Sequence, residues 1–506
     1  MGHQRNTPNL ILEYPDAEIV IGIVCAIGVD YSKIGEYLIR ALPKFGYQAN
    51  VLKVSSFIPE TAKSLHLKLR LAARPEAKRL KDYMDAGNKI RKRTNRCDFL
   101  ALVAASRLAS SREGALSEKP EPLSRISHII LTLKRPEEVE TLRRIYGAGF
   151  FLVGVFATEQ ERLSSLMHLK EVSKGEATNL IGRDLEDEDK DFGQRTRDTF
   201  HRADVFVALQ GNRYQRELRR FLQLVFGYPY STPTRDEFGM YHACAASLRS
   251  AQLGRQVGAA ILNDEGDLIA VGCNEVPAPG GGSYWEGKEP DYRDHVLEED
   301  SNDKRKAEII KDIVKRLDNG EMFSASMPRQ QAEVLLRRSL LWDITEFGRA
   351  VHAEMDALLS CGRNGVSPKG GVLYTTTFPC HNCTRHIIAA GIKRVIYIEP
   401  YAKSQAAALH KDAIRVEDAV TKGSKTVKDC RLPFEPFIGV GPRRFFDLFS
   451  MTLSAGYPIE RKTKLGKVRD WRPRFDSKPR IPMAPSSYLQ REVLASRDVY
   501  SIFKSR

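Results

Sequence analysis

The stretch "VHAEMDALLSCGRNGVSPKGGVLYTTTFPCHNC" (Val351 to Cys383) contains a histidine, His352, and a Cys-x-x-Cys pair, Cys380 and Cys383. Zinc prefers nitrogen and sulfur ligands, and a catalytic zinc keeps one of its four positions for water. A Cys-x-x-Cys pair at a helix start directs both sulfurs to one point, where the helix dipole favours thiolate over thiol. The spacing therefore predicts that His352, Cys380 and Cys383 bind Zn²⁺.

A glutamate, Glu354, follows the histidine by two residues, and Pro379 precedes the first cysteine. Together they complete H-x-E…P-C-x-x-C, the signature of zinc deaminases, in which the glutamate acts as general acid and base. Zinc lowers the pKa of water toward about 7, and a carboxylate beside that water can carry its proton. The motif predicts hydrolytic attack on C4 of a cytosine ring and loss of ammonia, with Glu354 as the catalytic residue.

One alternative is a structural metal site. Cys361 lies nearby in the sequence, and a fourth protein ligand would close the tetrahedron and exclude water. In that case Glu354 would only be a first-turn carboxylate favoured by the helix dipole.

The composition is that of a folded protein without a membrane span. The chain has 506 residues, of which 42% are hydrophobic and 28% charged, so two or three domains are expected. It has no run of about 18 apolar residues and no signal-peptide pattern at its start. Eight cysteines are too few and too irregular for a disulfide framework. A cytoplasmic location is expected.

The net charge of +15 is concentrated at one end of the chain. Gly456 to Arg506 holds 13 Lys or Arg against 5 Asp or Glu. Such a surface attracts polyanions, although a solvated face with a flexible tail explains the same charges.

Strands and helices alternate from Glu18 to about Phe226, which predicts a parallel sheet with helices on both faces. The expected strands are "EIVIGIVCAIG", "ANVLKV", "SHIILTL", "FFLVGVF" and "DVFVAL". The linker "GYPYSTPTRDE" (Gly227 to Glu237) marks a domain boundary. Beyond it, "VGAAILN" and "LIAVGCN" flank "DEGD" and predict a hairpin.

The turn after the first strand, "GIVCAIGVDYS" (Gly22 to Ser32), occupies the place of a phosphate-binding loop. It lacks the lysine of the Walker pattern, because Val29 and Asp30 follow Gly28. Phosphoryl transfer is therefore not expected. Two interpretations remain, a regulatory nucleotide bound near Gly22 and Gly28, and a purely structural turn.

Sequence stretches outside the metal motif also resemble known families. "SLRSAQLGRQVGAAILNDEGDLIAVGCNEVP", "VHAEMDALLSC" and "YTTTFPCHNCTRHIIAAGIKRVIYIEPY" resemble the deoxycytidylate deaminases. "LKRPEEVETLRRIYGAGFFLVGVFA", "DTFHRADVFVAL" and "GVGPRRFFDLFSM" resemble a bacterial family, the anti-phage dCTP deaminases, which join a degenerate P-loop kinase-like domain to a deaminase domain. This second resemblance covers most of Glu18 to Met451.

The resemblance implies an α/β protein with three parts. Residues 1–228 would form a P-loop kinase-like parallel-sheet domain, and residues 229–455 a cytidine deaminase-like α/β/α sandwich with an insertion at 277–345. Residues 456–506 would form a basic tail. The implied activity is deamination of dCTP, with dCMP as a second substrate, as anti-phage defence.

The resemblance also implies residue roles and partners. Asn274 would contact the nucleoside, Ala353 would line the substrate site, and Arg255 would either meet phosphate or be a solvated arginine. Asp356 stands where deoxycytidylate deaminases usually have asparagine. An RNA regulator and a homo-oligomeric assembly are implied partners.

Two other functions use the same motif. Deamination of cytosine within single-stranded nucleic acid also needs the zinc motif and gains from a basic surface. The second alternative is not an enzyme. It is a regulatory module in which the zinc is structural and the first half of the chain senses a nucleotide.

Overall fold

Seven consecutive buried residues form the first strand, β1 (Ile19–Cys25). Both faces of this strand are covered, as the continuous run of apolar and β-branched residues predicts for a parallel sheet. The computed structural model describes residues 14–112, 121–323, 327–344, 346–401, 404–416, 430–454 and 456–505. The chain forms two compact units, Met1–Glu237 with Ile438–Arg506, and Phe238–Phe437.

The first unit contains a six-stranded sheet in the order β12-β5-β4-β1-β3-β2. β1 to β5 are parallel, and β12 joins β5 antiparallel. All five strands predicted for this part are confirmed. Their remaining bounds are β2 Gln48–Lys53, β3 Ile126–Leu133, β4 Phe150–Phe156, β5 Val205–Ala208 and β12 Gly439–Val440.

Two of the helices that join these strands begin with a side-chain cap that the sequence supplies. Thr158 and Ser173 each start a helix with a reciprocal capping box, formed with Glu161 and Glu176. The helices are α1 Ser32–Ala41, α2 Val54–Ser64, α3 Glu76–Thr94, α4 Phe99–Ser110, α5 Pro136–Tyr146, α6 Glu159–Leu169, α7 Lys174–Glu186, α8 Thr196–Phe200 and α9 Arg213–Val225.

The second unit contains a six-stranded sheet in the order β10-β11-β9-β8-β6-β7. β6 is antiparallel to β7 and β8, and the other pairs are parallel. The predicted hairpin is confirmed as β6 and β7. The strands are β6 Gly258–Leu262, β7 Leu268–Cys273, β8 Val372–Thr377, β9 Arg394–Glu399, β10 Ile414–Val416 and β11 Leu432–Pro436, and the helices are α10 Arg235–Ser247, α11 Ser301–Asn319, α12 Arg329–Arg337, α13 Ala353–Arg363, α14 His381–Ala389 and α15 Ala406–Leu409.

Strand alternation places helices on both faces of this second sheet. Ala259 packs in one apolar core with Ala353 of α13. The neighbouring Gly258 faces the other way, where an added Cβ would lie only 1.9 Å from the carbonyl oxygen of Ala243 in α10. Successive residues of a strand point to opposite faces. The unit is therefore layered with α13 on one face and α10 on the other, which confirms its α/β character.

The end of the chain differs from the predicted arrangement of a deaminase domain to residue 455 followed by a tail. From Ile438 onward the chain belongs to the first unit, whose last helices are α16 Phe445–Phe449, α17 Pro473–Asp476 and α18 Pro485–Lys504. α18 packs on α4, and buried Arg112 forms ion pairs with Glu492 of α18 and with Glu18. Burial of these charges, which no periodicity reveals, ties the basic segment to the sheet. Within the described residues, no helix is both long and apolar enough to cross a membrane.

Candidate active site

His352 occupies the N-cap of α13, with extended backbone angles of φ −69° and ψ 152°. Cys380 occupies the N-cap of α14 in the same way, and its Sγ accepts a hydrogen bond from the backbone N–H of Cys383 at 3.4 Å. Two helix N-termini thus carry the histidine and both cysteines. The positive ends of the two helix dipoles favour a negative sulfur at this point.

The three predicted ligands lie together, with their donor atoms within 4.8 Å of one another. Nδ1 of His352 is 3.3 Å from Sγ of Cys380 and 3.4 Å from Sγ of Cys383. A tetrahedral zinc with Zn–S of about 2.3 Å and Zn–N of about 2.0 Å separates nitrogen from sulfur by roughly 3.5 Å. The donor set and its spacing therefore fit Zn²⁺.

The two thiols differ in acidity. Hydrogen bonds from Cys383 and then from His352 lower the pKa of Cys380 to about 4, against the effect of burial. The pKa of Cys383 is raised well above its ordinary value by its hydrogen bond to Cys380 and by burial. Cys380 is therefore the more acidic of the two thiols, and both cysteines bind a divalent ion as thiolates.

Cys361 is not part of this cluster among the described residues. It is fully buried on α13 in the apolar core, beside residues such as Ile387. Nine residues separate it from His352, which corresponds to roughly 13 Å along a helix. The described residues thus provide three ligands, the number typical of a catalytic zinc site with one position left for water.

Glu354 lies in the first turn of α13 and is only 4% exposed. Its Oε1 is 3.5 Å from the hydroxyl oxygen of Thr375, a fully buried residue of β8. Burial raises the pKa of Glu354, and the nearby His352 partly offsets this. A buried carboxyl group in this position can act as general acid and base.

Two of the predicted metal ligands, His352 and Cys380, line a cavity of about 260 Å³ that Glu354 also lines. Four residues that the sequence did not single out line this cavity: Val257, Thr377, Phe378 and Tyr401. They come from β8, from the segment after it, and from the ends of two other strands. The sequence does not identify these residues as part of the site, because only the folded sheet brings the strand ends that carry them to one edge.

Asn274 lines the cavity, but its carboxamide is engaged with the chain itself. Its Oδ1 accepts from the backbone N–H of Val257 at 2.6 Å, and its Nδ2 donates to the carbonyl oxygen of Arg255 at 2.8 Å. The side chain therefore fixes the backbone that forms one cavity wall. Direct contact of Asn274 with a nucleoside stays a prediction.

Arg255 lies at the edge of the cavity with an exposed side chain. Its guanidinium carbon is 5.1 Å from the ring centre of Tyr401, and Nη1 is 3.4 Å from Oε1 of Glu399. Ala353 is buried and is the first residue of α13. Its N–H is one of the helix N-terminal groups without an intrahelical acceptor.

Asp356 is buried one helical turn below the metal ligands, and its Oδ2 accepts from the backbone N–H of Cys273 at 3.2 Å. α13 and β7 are in close contact, because a Cβ on Gly272 would lie 2.3 Å from the carbonyl oxygen of Ala353. The carboxylate of Asp356 thus joins α13 to β7 next to the predicted metal ligands.

Of the two glycines predicted near a nucleotide, Gly28 lines a cavity in the first unit, and Gly22 is not among the described residues that line it. Its φ of +86° requires glycine, and a Cβ would lie 2.9 Å from the carbonyl oxygen of Arg162. Gly22 lies within β1, where a Cβ would contact Leu133 at 2.8 Å and Phe150 at 2.9 Å. Gly22 is therefore required for packing of the sheet.

Residues 233–399 match the cytidine and deoxycytidylate deaminase zinc-binding region. This match supports a cytidine or deoxycytidylate deaminase domain in the second unit.

Parts of the chain are similar to individual known proteins. The chain is 49% identical over 53 residues to ComE operon protein 2 of Bacillus subtilis (strain 168), covering 10% of this chain and 28% of that protein. It is 28% identical over 162 residues to deoxycytidylate deaminase of Homo sapiens, covering 32% of this chain and 63% of that enzyme. The matches thus span less than two thirds of either relative. The structure of a dCMP deaminase from the cyanophage S-TIM5 aligns at 17% identity with a TM-score of 0.22, over 41% of this chain and 99% of that one.

Proposed function

We propose that the second unit removes the exocyclic amino group of free deoxycytidine nucleotides, dCTP and dCMP, to give the deoxyuridine form and ammonia. The observation that carries this proposal is the three-donor cluster of His352, Cys380 and Cys383 beside a buried carboxyl group, Glu354, at one cavity. A structural zinc would require neither the open fourth position nor the cavity.

A zinc ion held by these three residues supplies an activated water and Lewis acidity at the cavity floor. Glu354 would take one proton from the attacking water and give it to the ring nitrogen. It would then take the proton that remains on the added hydroxyl group and give it to the amino group, so that the C–N bond breaks and ammonia leaves with a carbonyl formed at C4. The burial that raises the pKa of this carboxyl adapts it to both transfers. Thr375 holds the carboxyl in place, and Phe378 provides an apolar wall against which a pyrimidine ring can lie.

A free nucleotide is favoured over a polymer by the charges of the cavity edge. Arg255 is the cation among the described residues that line this cavity. The guanidinium beside Tyr401 can meet the 5′-phosphate that dCTP and dCMP share, with the sugar between phosphate and ring. A groove that follows a nucleic-acid strand would need a row of cations and stacking aromatic residues.

The deciding experiment compares the wild-type protein with Glu354→Ala on dCTP, dCMP, CTP, cytidine and a cytosine-containing oligonucleotide. We expect dCTP and dCMP to be converted by the wild type, and the variant to lose ammonia release by at least about a thousandfold while retaining its zinc. Turnover of the oligonucleotide alone would favour a nucleic-acid deaminase. Absence of all turnover in a zinc-loaded wild-type protein would favour a regulatory module.

We further propose that this activity depletes the dCTP pool as a defence against phage, which the resemblance described above supports. The test measures dCTP and dUTP in infected bacteria that express either the wild type or Glu354→Ala. Protection without a fall in dCTP, or equal protection by the variant, would contradict the proposal.

A further inference from the structure

A cavity of about 160 Å³ opens in the first unit at the carboxyl ends of β1 and β3. Its lining includes Cys25 at the end of β1, Gly28 in the following loop, and Lys134 just after β3. After β1 the chain adds β2 and then β3 on one side of β1. It then crosses to the other side of β1 and adds β4, which gives the order β4-β1-β3. Open parallel sheets bind ligands in the crevice where the strand order reverses in this way.

The loop after β1 already binds an anionic group from the chain itself. The backbone N–H of Ile27 donates to Oδ2 of Asp184 at 3.0 Å, and Asp184 is only 3% exposed. The N–H groups of Val29 and Tyr31 donate to carbonyl oxygens of the same loop. A carboxylate on these N–H groups repels a second anion. A ligand phosphate must therefore lie elsewhere in the cavity.

Two buried charged side chains of the lining have unused hydrogen-bonding atoms. Glu138 is 1% exposed and Arg91 is 2% exposed, and Oε1 of Glu138 is 3.6 Å from Nη2 of Arg91. Oε2 of Glu138 accepts from the N–H groups of Lys134 and Arg135 at 2.7 and 3.2 Å. Oε1 of Glu138 and Nε of Arg91 have no hydrogen-bond partner among the described residues.

Buried polar atoms without partners are rare in folded proteins. Here the acceptor and the donor belong to two residues that form an ion pair, and both residues line the cavity. Carboxylates accept from the amino groups of nucleobases, and guanidinium groups donate to their carbonyl and ring nitrogen atoms. The pair therefore suits the polar edge of a nucleobase.

The rest of the lining suits the other parts of a nucleotide. Tyr31, Tyr83 and Met84 provide flat apolar surface. Lys53 also lines the cavity, and its side chain is exposed and makes no ion pair among the described residues. An ammonium group in this position attracts a phosphate.

We propose that this cavity binds a nucleoside monophosphate, with the base edge on Glu138 and Arg91 and the phosphate at Lys53. The bound nucleotide is a ligand and undergoes no phosphoryl transfer, because Asp184 occupies the loop that would hold a phosphoryl donor. The proposal is independent of the deaminase activity, since its readout is binding.

The test uses the zinc-loaded full chain and isothermal titration calorimetry with dAMP, dGMP and dTMP, which lack cytosine, and with the matching nucleosides. We expect at least one monophosphate to bind, and the matching nucleoside to bind more weakly. Lys53→Ala should weaken binding of the monophosphate roughly tenfold. Lys63→Ala is the matched control, because Lys63 is an exposed lysine of α2, the helix that follows Lys53, and lies outside the cavity lining.

Three results would overturn the proposal: no binding at millimolar concentration, equal binding by the wild type and Lys53→Ala, or transfer of phosphate from ATP to the monophosphate. Glu138→Gln tests the base edge and should reduce the preference among the three bases. Because Glu138 is buried, binding by this variant is interpreted only after circular dichroism shows that it is folded. The result with Lys53→Ala tests the proposal without it.

Discussion

The hydroxyl oxygen of Thr375 lies 3.5 Å from Oε1 of Glu354 and 3.0 Å from the carbonyl oxygen of Thr377. Thr375 is fully buried on β8, so bulk water does not compete with these two contacts of its hydroxyl group. The strand thus orients the carboxyl group that α13 carries. Proper placement of a proton-transfer group depends on such support.

Thr375→Val replaces this hydroxyl by a methyl group of similar size. We expect kcat to fall about tenfold with zinc content and KM little changed, because only the orientation of Glu354 is lost. Thr375→Ser should restore most of kcat. Zinc loss in Thr375→Val, or no rescue by serine, would indicate a different role.

Metal binding separates a catalytic site from a closed structural site. Cys383→Ala should lose zinc and all activity, whereas Cys361→Ala should retain one zinc per chain and most activity, since Cys361 packs in the apolar core. Zinc is measured by atomic emission on both purified variants. Loss of zinc from Cys361→Ala would support a fourth sulfur ligand.

Asn274→Ala removes both hydrogen bonds that fix the backbone at Arg255 and Val257. We expect a loss of about 1 to 3 kcal/mol in the unfolding free energy of the second unit, together with a higher KM. Asn364→Ala, at an exposed position that contacts Ser360, is the matched control. A higher KM with unchanged stability would instead indicate direct substrate contact.

Arg255→Ala tests the phosphate contact. We expect the KM for dCTP and dCMP to rise roughly tenfold, with little effect on deoxycytidine, because the nucleoside has no phosphate. Arg385→Ala changes an exposed arginine of α14 outside the cavity lining and should leave both values unchanged. An equal effect on nucleoside and nucleotide would contradict the assignment.

Acid stability of the first unit depends on Glu18. Burial by itself raises the pKa of Glu18, but hydrogen bonds from His128 and Arg112 outweigh it and lower the pKa from 4.5 to about 2. The unfolded chain therefore binds a proton more readily than the folded protein. The stabilisation by Glu18 is complete above pH 4.5 and is lost as the pH falls from there toward about 2.

Glu18→Gln should accordingly lower the unfolding free energy by about 3 kcal/mol at pH 7, since it leaves Arg112 with one buried carboxylate fewer. The difference between variant and wild type should shrink as the pH falls toward 3. Urea unfolding at a series of pH values measures both effects, with Glu36→Gln on the exposed face of α1 as control. A difference that does not change with pH would contradict the role of the Glu18 charge.

The metal ligands and Glu354 could be predicted from the sequence because their geometry is local. His352 and Glu354 are two residues apart at one helix start, and Cys380 and Cys383 are one turn apart at another. A helix fixes such spacings before any tertiary contact forms. The five strands of the first unit were predictable for a similar reason, since runs of β-branched and aromatic residues recur between amphipathic segments.

Only the tertiary structure decided what surrounds these local features. Thr375 supports Glu354 across 21 residues of sequence, and Asp184 reaches the N–H of Ile27 across 157. The last helix, α18, joins the first unit through Glu492 and Arg112, which are 380 residues apart. Such pairs follow no period along the chain. They form because a polar group buried in a folded core must find its hydrogen-bond partners within that core, and the assembled sheet and helices decide which partners lie within reach.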